Sequence, residues 1–166
     1  MPDLSFQLGF TGAYNVKVDD KGRIIVPSEI AKVLNTRYAS EAAALVLSIS
    51  LEGSITAQPF SLWEKRANKL EELDEMDVDA RRIRSMTMAF TYQSSIDSNN
   101  RLRIPRELSD LFGIEKEATV IGQRDHFQIW NRETWEKHSA ESVKGLLEAA
   151  ARASANAAAR RAPSAS

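Results

Sequence analysis

The sequence predicts a β-rich α+β protein that is built from two copies of one small unit. The phrases DDKGRIIVP (19–27) and DSNNRLRIP (97–105) both carry Asp, three turn-type residues, Arg and a final Pro. The phrase Trp-Glu-Lys also occurs twice, at 63–65 and at 135–137. Because matched residues in both halves mark a repeat architecture, we infer a duplicated unit with one loop insertion in the first copy.

Each unit is predicted to open with two strands that are separated by a turn. Residues 11–19 and 90–97 alternate enough to be strands, and extended chain resumes after each turn. Gly22 accepts the positive φ of such a turn, and Asn100 replaces it in the second copy, since Asn also tolerates that region. Asp19 is expected to accept a hydrogen bond from a backbone amide two residues further on.

A short helix is predicted after each of two prolines, Pro27 and Pro105, because proline suits the first helical turn. Apolar residues follow at helical spacing and predict a buried face in each helix. These residues are Ile30, Val33 and Leu34 in the first copy, and Leu108, Leu111 and Phe112 in the second. Two further strands complete each unit, with tight junctions at Glu52-Gly53 and at Arg124-Asp125.

The repeat also predicts how the chain is divided. A unit of about 80 residues is marginal alone, so the two units are expected to need each other. Almost nothing after Leu147 can be buried, so the end of the chain is expected to fray or to be disordered. We predict a first unit over 13–60, a helical connector over 61–89 with a break near Asp74 to Asp79, a second unit over 90–134, a helix over 135–147 and an alanine-rich tail over 148–166.

Composition excludes several classes of function. The chain has no cysteine, which excludes disulfides, thiolate nucleophiles and cysteine metal sites. No apolar run approaches the length of a membrane span and the N-terminus lacks a secretory pattern, so we expect a cytoplasmic protein without membrane contacts. The formal net charge is −1. A nucleic-acid site must therefore be a local basic patch.

The sequence contains no catalytic motif, so it predicts neither an enzyme nor a cofactor. The acidic run at 71–79 lacks the pattern of a calcium-binding loop and is interpreted as a solvated helix junction. His126 and His138 fall in no metal-binding pattern and are interpreted as core or surface residues. The tryptophans are interpreted as core anchors rather than as base-stacking platforms, and they are Trp63, Trp130 and Trp135.

The arginines at the same step of both turns, Arg23 and Arg101, leave two interpretations open. An arginine on an exposed loop contacts phosphates or pairs bidentately with guanine, which would make each turn a DNA contact. The alternative is a structural turn in which each arginine pairs with the neighbouring aspartate. Lys17 and Lys21 lie near the first turn, and Arg103 is expected on the same side of its strand as Arg101.

The double motif resembles that of the MraZ family of transcriptional regulators over roughly residues 9–147. The pattern is F-x-G, a strand and then D-x-K-G-R-x-x-x-P, written twice with a Trp-led helix after each unit. The matching residues are Phe10, Gly12, Asp19, Lys21, Gly22, Arg23 and Pro27, then Asp97, Arg101 and Pro105. The resemblance implies tandem SpoVT/AbrB-like swapped-hairpin half-units that form one pseudo-two-fold β-barrel with flanking helices.

The same resemblance implies a sequence-specific, nucleoid-associated regulator of the cell-division and cell-wall gene cluster, its own promoter included. It implies a homo-oligomeric ring that binds direct repeats in double-stranded DNA. Arg23 and Arg101 are implied to touch the DNA, with Lys21 and Asn99 flanking them. The candidate set is completed by Lys17, Asn100 and Arg103. The alternative is a non-enzymatic AbrB-like protein-interaction or antitoxin module.

Overall fold

The computed structural model describes residues 8–41 and 44–163 of the 166-residue chain. The strands of the first half are β1 (Ala13–Lys17), β2 (Arg23–Ile25), β3 (Leu45–Ile49) and β4 (Ile55–Pro59). Those of the second half are β5 (Tyr92–Ser94), β6 (Arg101–Arg103), β7 (Glu117–Gly122) and β8 (Phe127–Asn131). The helices are α1 (Ser28–Arg37), α2 (Phe60–Glu71), α3 (Val78–Ala89), α4 (Arg106–Phe112) and α5 (Arg132–Arg161), with a 3₁₀ turn at Ala39–Glu41.

The strands of the two halves are interleaved in one antiparallel sheet. Its order is β1-β7-β8-β4-β3-β5, and β2 and β6 form a separate two-stranded ribbon. β1 of the first half pairs with β7 of the second, and β5 of the second half pairs with β3 of the first. The chain up to Arg132 is accordingly one compact unit, which agrees with two halves that need each other. The boundaries predicted at 60/61 and at 89/90 stay predictions.

Equivalent residues of the two halves face each other in two of the strand pairs. Ile24 faces Leu102 at the centre of the ribbon, and Thr56 faces Gln128 at the centre of the β4–β8 pair. The ribbon meets the edge strands of the sheet through single bridges, one on each side. Because one bridge does not continue a ladder of hydrogen bonds, the described residues form no closed barrel. The α+β class is confirmed, and the barrel that the resemblance implies is not.

The predicted helix faces are buried in the first copy and partly buried in the second. At most 1% of each predicted side chain is exposed in α1, namely in Ile30, Val33 and Leu34. Leu108 is fully buried, whereas Leu111 is 50% exposed, so the prediction for Leu111 was wrong. The physical reason is the length of α4, which has seven residues and ends before Gly113, whose φ is +63°. Such a short helix buries one narrow stripe, formed by Leu108 and Phe112.

The two hairpin junctions reach similar backbone conformations with different residues. In the first junction Gly53 has a φ of +96°. The second junction has no glycine at its tip, and Arg124 has a φ of +68°. The N–H of Phe10 donates to the carbonyl of Arg124 at 2.9 Å. This long-range backbone pairing holds Arg124 in a conformation that residues other than glycine adopt rarely.

The helical connector has the predicted break between α2 and α3. Asp77 caps α3, because its side chain accepts hydrogen bonds from the amides of Asp79 and Ala80. The acidic run at 71–79 is therefore a helix junction, as predicted. Within residues 8–41 and 44–163, no three His, Asp or Glu side chains are grouped closely enough to hold a metal ion.

The tryptophans differ in burial. Trp130 is 1% exposed and donates its indole N–H to Gln128 Oε1 at 2.9 Å, so it is a core anchor. Trp63 is partly exposed and its ring lies 5.7 Å from that of Phe60. Trp135 is also partly exposed. The core-anchor interpretation was wrong for these two, because each lies in the first turn of a helix that buries at most one residue.

The C-terminal part of the chain is more ordered than predicted. The expected helix over 135–147 is part of α5, which continues to Arg161 and forms a separate unit from Glu133 onward. Residues 148–161, for which fraying or disorder is expected, are helical here, because alanine has the highest helix propensity and needs no buried face to favour this backbone. The last predicted tail residues, 164–166, lie outside the described residues. No helix in the described part of the chain combines the length and the apolarity that crossing a bilayer requires.

Candidate nucleic-acid interface

The first repeated phrase forms a turn around one carboxylate. Asp19 Oδ1 accepts hydrogen bonds from the amides of Lys21 at 3.0 Å and of Arg23 at 2.8 Å. Asp19 Oδ2 accepts from Arg23 Nε at 2.9 Å. The amide of Gly22 donates to the Asp19 carbonyl at 3.0 Å, with a φ of +73° at Gly22. The sequence-predicted bond to the amide two residues on is thus confirmed.

The second phrase builds the same turn from different residues. Asp97 Oδ1 accepts from the amides of Asn99 at 2.9 Å and of Arg101 at 3.0 Å, and Oδ2 accepts from Arg101 Nε at 2.9 Å. Asn100 occupies the position of the glycine with a φ of +59°. The replacement of glycine by asparagine therefore leaves the turn unchanged, as its tolerance of the left-handed region predicts.

Each arginine forms the ion pair that the structural interpretation predicts. The Nε–Oδ2 distance is 2.9 Å in both pairs, with 22% of the Arg23 side chain and 35% of the Arg101 side chain exposed. The backbone amide of the arginine, foremost among several causes, lowers the pKa of Asp19 and likewise that of Asp97. A guanidinium has five N–H donors, and the Nε bond uses one of them. The ionised carboxylates therefore orient the arginines and leave donors on the terminal nitrogens.

The two phrases pair with each other, and this pairing creates a shared exposed face. In the β2–β6 ribbon, Arg23 lies opposite Arg103, and Ile25 lies opposite Arg101. The central residues of both strands are buried beneath them at 1% exposure or less. The outer face thus carries arginines from both copies, with Arg101 and Arg103 on the same side as the strand alternation predicts.

The remaining predicted residues differ in their exposure and in whether they lie near the ribbon face. Lys21 and Asn99 are exposed at equivalent positions of the two turns. Asn100 is partly buried, and its carbonyl accepts from the amide of Val26 at 2.8 Å, so the contact seen for it is structural. Lys17 is exposed on β1, where it lies opposite Glu117. Lys17 is therefore separate from the ribbon face.

Two residues near this face, Ile25 and Arg106, were not among the candidate DNA-binding residues predicted from the sequence. Ile25 is 64% exposed. Its position one residue after buried Ile24 could have indicated this exposure, because successive side chains of a strand point to opposite faces. Arg106 lines a groove of ≈ 500 Å³ together with Lys21 and Arg103. Its ion pair with Asp110, at 3.5 Å, is exposed and holds it weakly.

Electrostatics favour an anion on the ribbon face. Cβ atoms of residues that lie opposite each other in an antiparallel pair are about 4.5–5.5 Å apart, and like charges there are destabilising. Arg23 and Arg103 are such a pair. The ion pair of Arg23 with Asp19 offsets part of this repulsion, and a phosphate or a carbonyl-rich base edge placed between the arginines would remove the rest.

His126 lies outside this face. Its Nδ1 lies 2.6 Å from Asp125 Oδ1 and 2.9 Å from Arg66 Nη2. Burial is the largest cause of its lowered pKa. The role we assign to His126 is structural, at the tip of the β7–β8 hairpin.

The turn geometry predicts how the glycine position responds to substitution. A Cβ added at Gly22 would meet only the carbonyl oxygen of Ile104, at 3.7 Å, so the cost of a side chain there is conformational. Gly22→Val should lower the free energy of unfolding by about 1–2 kcal/mol, the cost of a left-handed backbone. Gly22→Asn should change it by less than about 0.5 kcal/mol, because Asn100 already occupies the equivalent position. Urea unfolding measures both, and equal losses would contradict this account.

Comparison with known proteins agrees with a chain built from two repeats. The model of a family described as the MraZ protein, and likened there to antitoxins, matches residues 10–86 and 88–157. The chain belongs to the MraZ family. The two matched segments cover both repeated phrases and the ribbon that they form.

Individual members of the MraZ family are similar to this chain over most of its length. A protein of Leuconostoc mesenteroides named "Transcriptional regulator MraZ" is 30% identical over 134 residues, which are 81% of this chain and 89% of the relative. A protein of Leuconostoc citreum with the same name is 29% identical over 82% of this chain and 91% of the relative. One from Shewanella halifaxensis, also so named, is 28% identical over 83% and 90%.

Proposed function

We propose that this member of the MraZ family is a sequence-specific, DNA-binding transcriptional regulator. The observation that carries the proposal is the ribbon face, on which Arg23, Arg101 and Arg103 lie over a buried apolar layer. The major groove of B-DNA admits a two-stranded β-ribbon, and arginine is the side chain that most often contacts guanine there. The relatives' name, transcriptional regulator, supports the same conclusion.

The proposed targets are direct repeats upstream of the cell-division and cell-wall gene cluster, the protein's own promoter included. The support for this target is the family membership. The proposed place of action is the cytoplasm, in association with the nucleoid. Neither a catalytic step nor a cofactor has a part in this function.

We further propose that a homo-oligomeric ring presents several ribbons to the DNA. A chain with a net charge of −1 has no long-range attraction for DNA. Several ribbons on one assembly compensate, because each contact after the first is intramolecular. Ribbons that read neighbouring repeats from one face of the duplex require a repeat spacing near one helical turn, about 10 bp.

The proposal predicts tight and salt-dependent binding to the DNA just upstream of the gene. Each neutralised phosphate adds about 0.9 to the slope of log K against log salt, so affinity should fall at least about tenfold between 50 and 200 mM salt. Fluorescence anisotropy with the upstream duplex and with a shuffled duplex measures both the slope and the specificity. Equal affinity for both duplexes would contradict sequence-specific regulation.

A second candidate function is a protein-interaction or antitoxin module without DNA contacts. The observation that favours it is the ion pairing of Arg23 and Arg101 within their own turns, together with the family's likeness to antitoxins. In that case DNA binding would be absent at 50 mM salt. The salt titration above therefore separates the two functions.

A further inference from the structure

The two ends of the β2–β6 ribbon carry different side chains on nearly identical backbones. At one end Arg23 lies opposite Arg103, and at the other Arg101 lies opposite Ile25. Arg103 and Ile25 are equivalent positions of the repeat, since each lies two residues after the arginine of its turn. The turns differ in the same way, since the first has a cation, Lys21, where the second has the neutral Asn99.

The first end carries more cations than the second, although carboxylates also lie near them. Lys21 and Arg103 are both exposed and line the same groove of ≈ 500 Å³, which Arg106 also lines. Acidic residues lie there too, but Asp19 is bound to Arg23, and the others are the exposed Asp20 and Glu115. Several flexible cations at the edge of an arginine pair are the donors that bind phosphates. The first end thus fits the DNA backbone.

The second end has one cation beside an exposed apolar side chain. Ile25 is 64% exposed and lies across from Arg101, whereas Asn99 and Ser28 stand where the first end has Lys21 and Arg106. An arginine beside an apolar group suits a guanine next to a thymine, whose methyl group accepts apolar contacts in the major groove. The second end thus fits base edges better than phosphates.

We propose that the ribbon binds DNA in one orientation, with the Arg23–Arg103 end on the phosphate backbone and the Ile25–Arg101 end on bases that include a thymine. This inference rests on the proposed DNA-binding function. A ribbon with chemically different ends defines a direction along the duplex. Each protomer then requires a non-palindromic half-site.

The thymine contact is tested with DNA that lacks one methyl group. Wild-type protein first selects its site from random duplexes, and each thymine of that site is then replaced by uracil, which keeps base pairing. One replacement should weaken wild-type binding about fourfold, the value of one buried methylene-sized group. Ile25→Ser should bind the thymine and uracil duplexes equally. Leu111→Ser, which removes an exposed leucine from α4, should keep the fourfold difference and serves as the control.

The phosphate contact is tested by exchanging the equivalent residues. Arg103→Ile copies the second end onto the first, and should lower the slope of log K against log salt by about 0.9 while weakening all sequences alike. Ile25→Arg copies the first end onto the second, and should raise that slope by about 0.9 and remove the uracil effect. Both variants keep the turns and the buried layer of the ribbon.

The outcomes separate this inference from the proposed function. Wild-type protein that selects no DNA contradicts both. Selection of a palindromic half-site, an unchanged salt slope in Arg103→Ile, or an equal uracil response in wild type and Ile25→Ser contradicts the orientation of the ribbon. In those cases DNA binding itself stands.

Discussion

Arg23→Ala together with Arg101→Ala should abolish operator binding and leave the fold intact. An arginine that pairs bidentately with guanine contributes about 1–3 kcal/mol of discrimination, so Arg101→Ala should lose about 5-fold to 150-fold in affinity. Arg23→Ala removes a phosphate contact and should weaken binding to all sequences. In an assembly with several ribbons these losses multiply. Gel shifts with the upstream duplex, at a fixed salt concentration, measure the effect.

Stability should respond much less than binding to these substitutions. Each arginine forms one ion pair with its own aspartate, partly buried for Arg23 and exposed for Arg101, and ion pairs near the surface contribute little to stability. The melting temperature should therefore fall by only a few degrees. Arg82→Ala is the matched control, because it removes the same charge from an exposed position of α3 and should bind DNA as the wild type does.

A conservative substitution separates charge from geometry. Arg101→Lys keeps the positive charge but cannot pair bidentately with guanine. It should retain the salt dependence of binding and lose much of the preference for the operator over shuffled DNA. If Arg23→Ala and Arg101→Ala both bind the operator with wild-type affinity, the arginines have the purely structural role of their ion pairs.

Phe10→Ala should be among the most destabilising single substitutions. Phe10 is fully buried, with ring centroids 5.9 Å from Tyr38 and 5.5 Å from Phe127. It therefore joins a residue of the first half to one of the second. Removing a buried phenyl group costs about 3–5 kcal/mol, against a total stability of about 5–15 kcal/mol for a typical protein. The melting temperature should fall by about 10 °C.

Two controls test whether packing is the cause. Phe10→Leu keeps most of the buried volume and should lose about 1–2 kcal/mol. Leu8→Ala removes a side chain that is 61% exposed, two positions earlier, and should change the free energy of unfolding by less than about 0.5 kcal/mol. Thermal unfolding followed by circular dichroism measures all three variants. A wild-type melting temperature in Phe10→Ala would contradict the packing described for this segment.

Local features of the fold were predictable because their causes lie within a few residues. The turns depend on Asp19 and Asp97 and on a residue that tolerates positive φ, and the sequence contains both. Proline before each short helix and apolar residues at helical spacing predicted α1 well. The same reasoning failed at Leu111, because helical spacing does not show where the helix will end.

Features that depend on distant partners were not predictable in this way. Arg124 adopts a left-handed backbone at the tip of a tight hairpin, and its backbone also pairs with that of Phe10, which is distant in the sequence. The alanine-rich segment up to Arg161 is helical because of propensity alone, which an argument from buried surface underestimates. The exposure of Trp63 likewise follows from which face of α2 meets the sheet.

The sequence by itself determined that the chain is a duplicated unit, where its turns lie, and that an arginine occupies the same step of both turns. The tertiary structure decided that the two phrases DDKGRIIVP and DSNNRLRIP pair with each other, and in which register. That register places Arg103 opposite Arg23 and Ile25 opposite Arg101, which makes the ends of the ribbon unequal. Turns form from contacts between neighbours in the chain, whereas strand pairing depends on burying Ile24 and Leu102 together. No local pattern specifies that choice of partner.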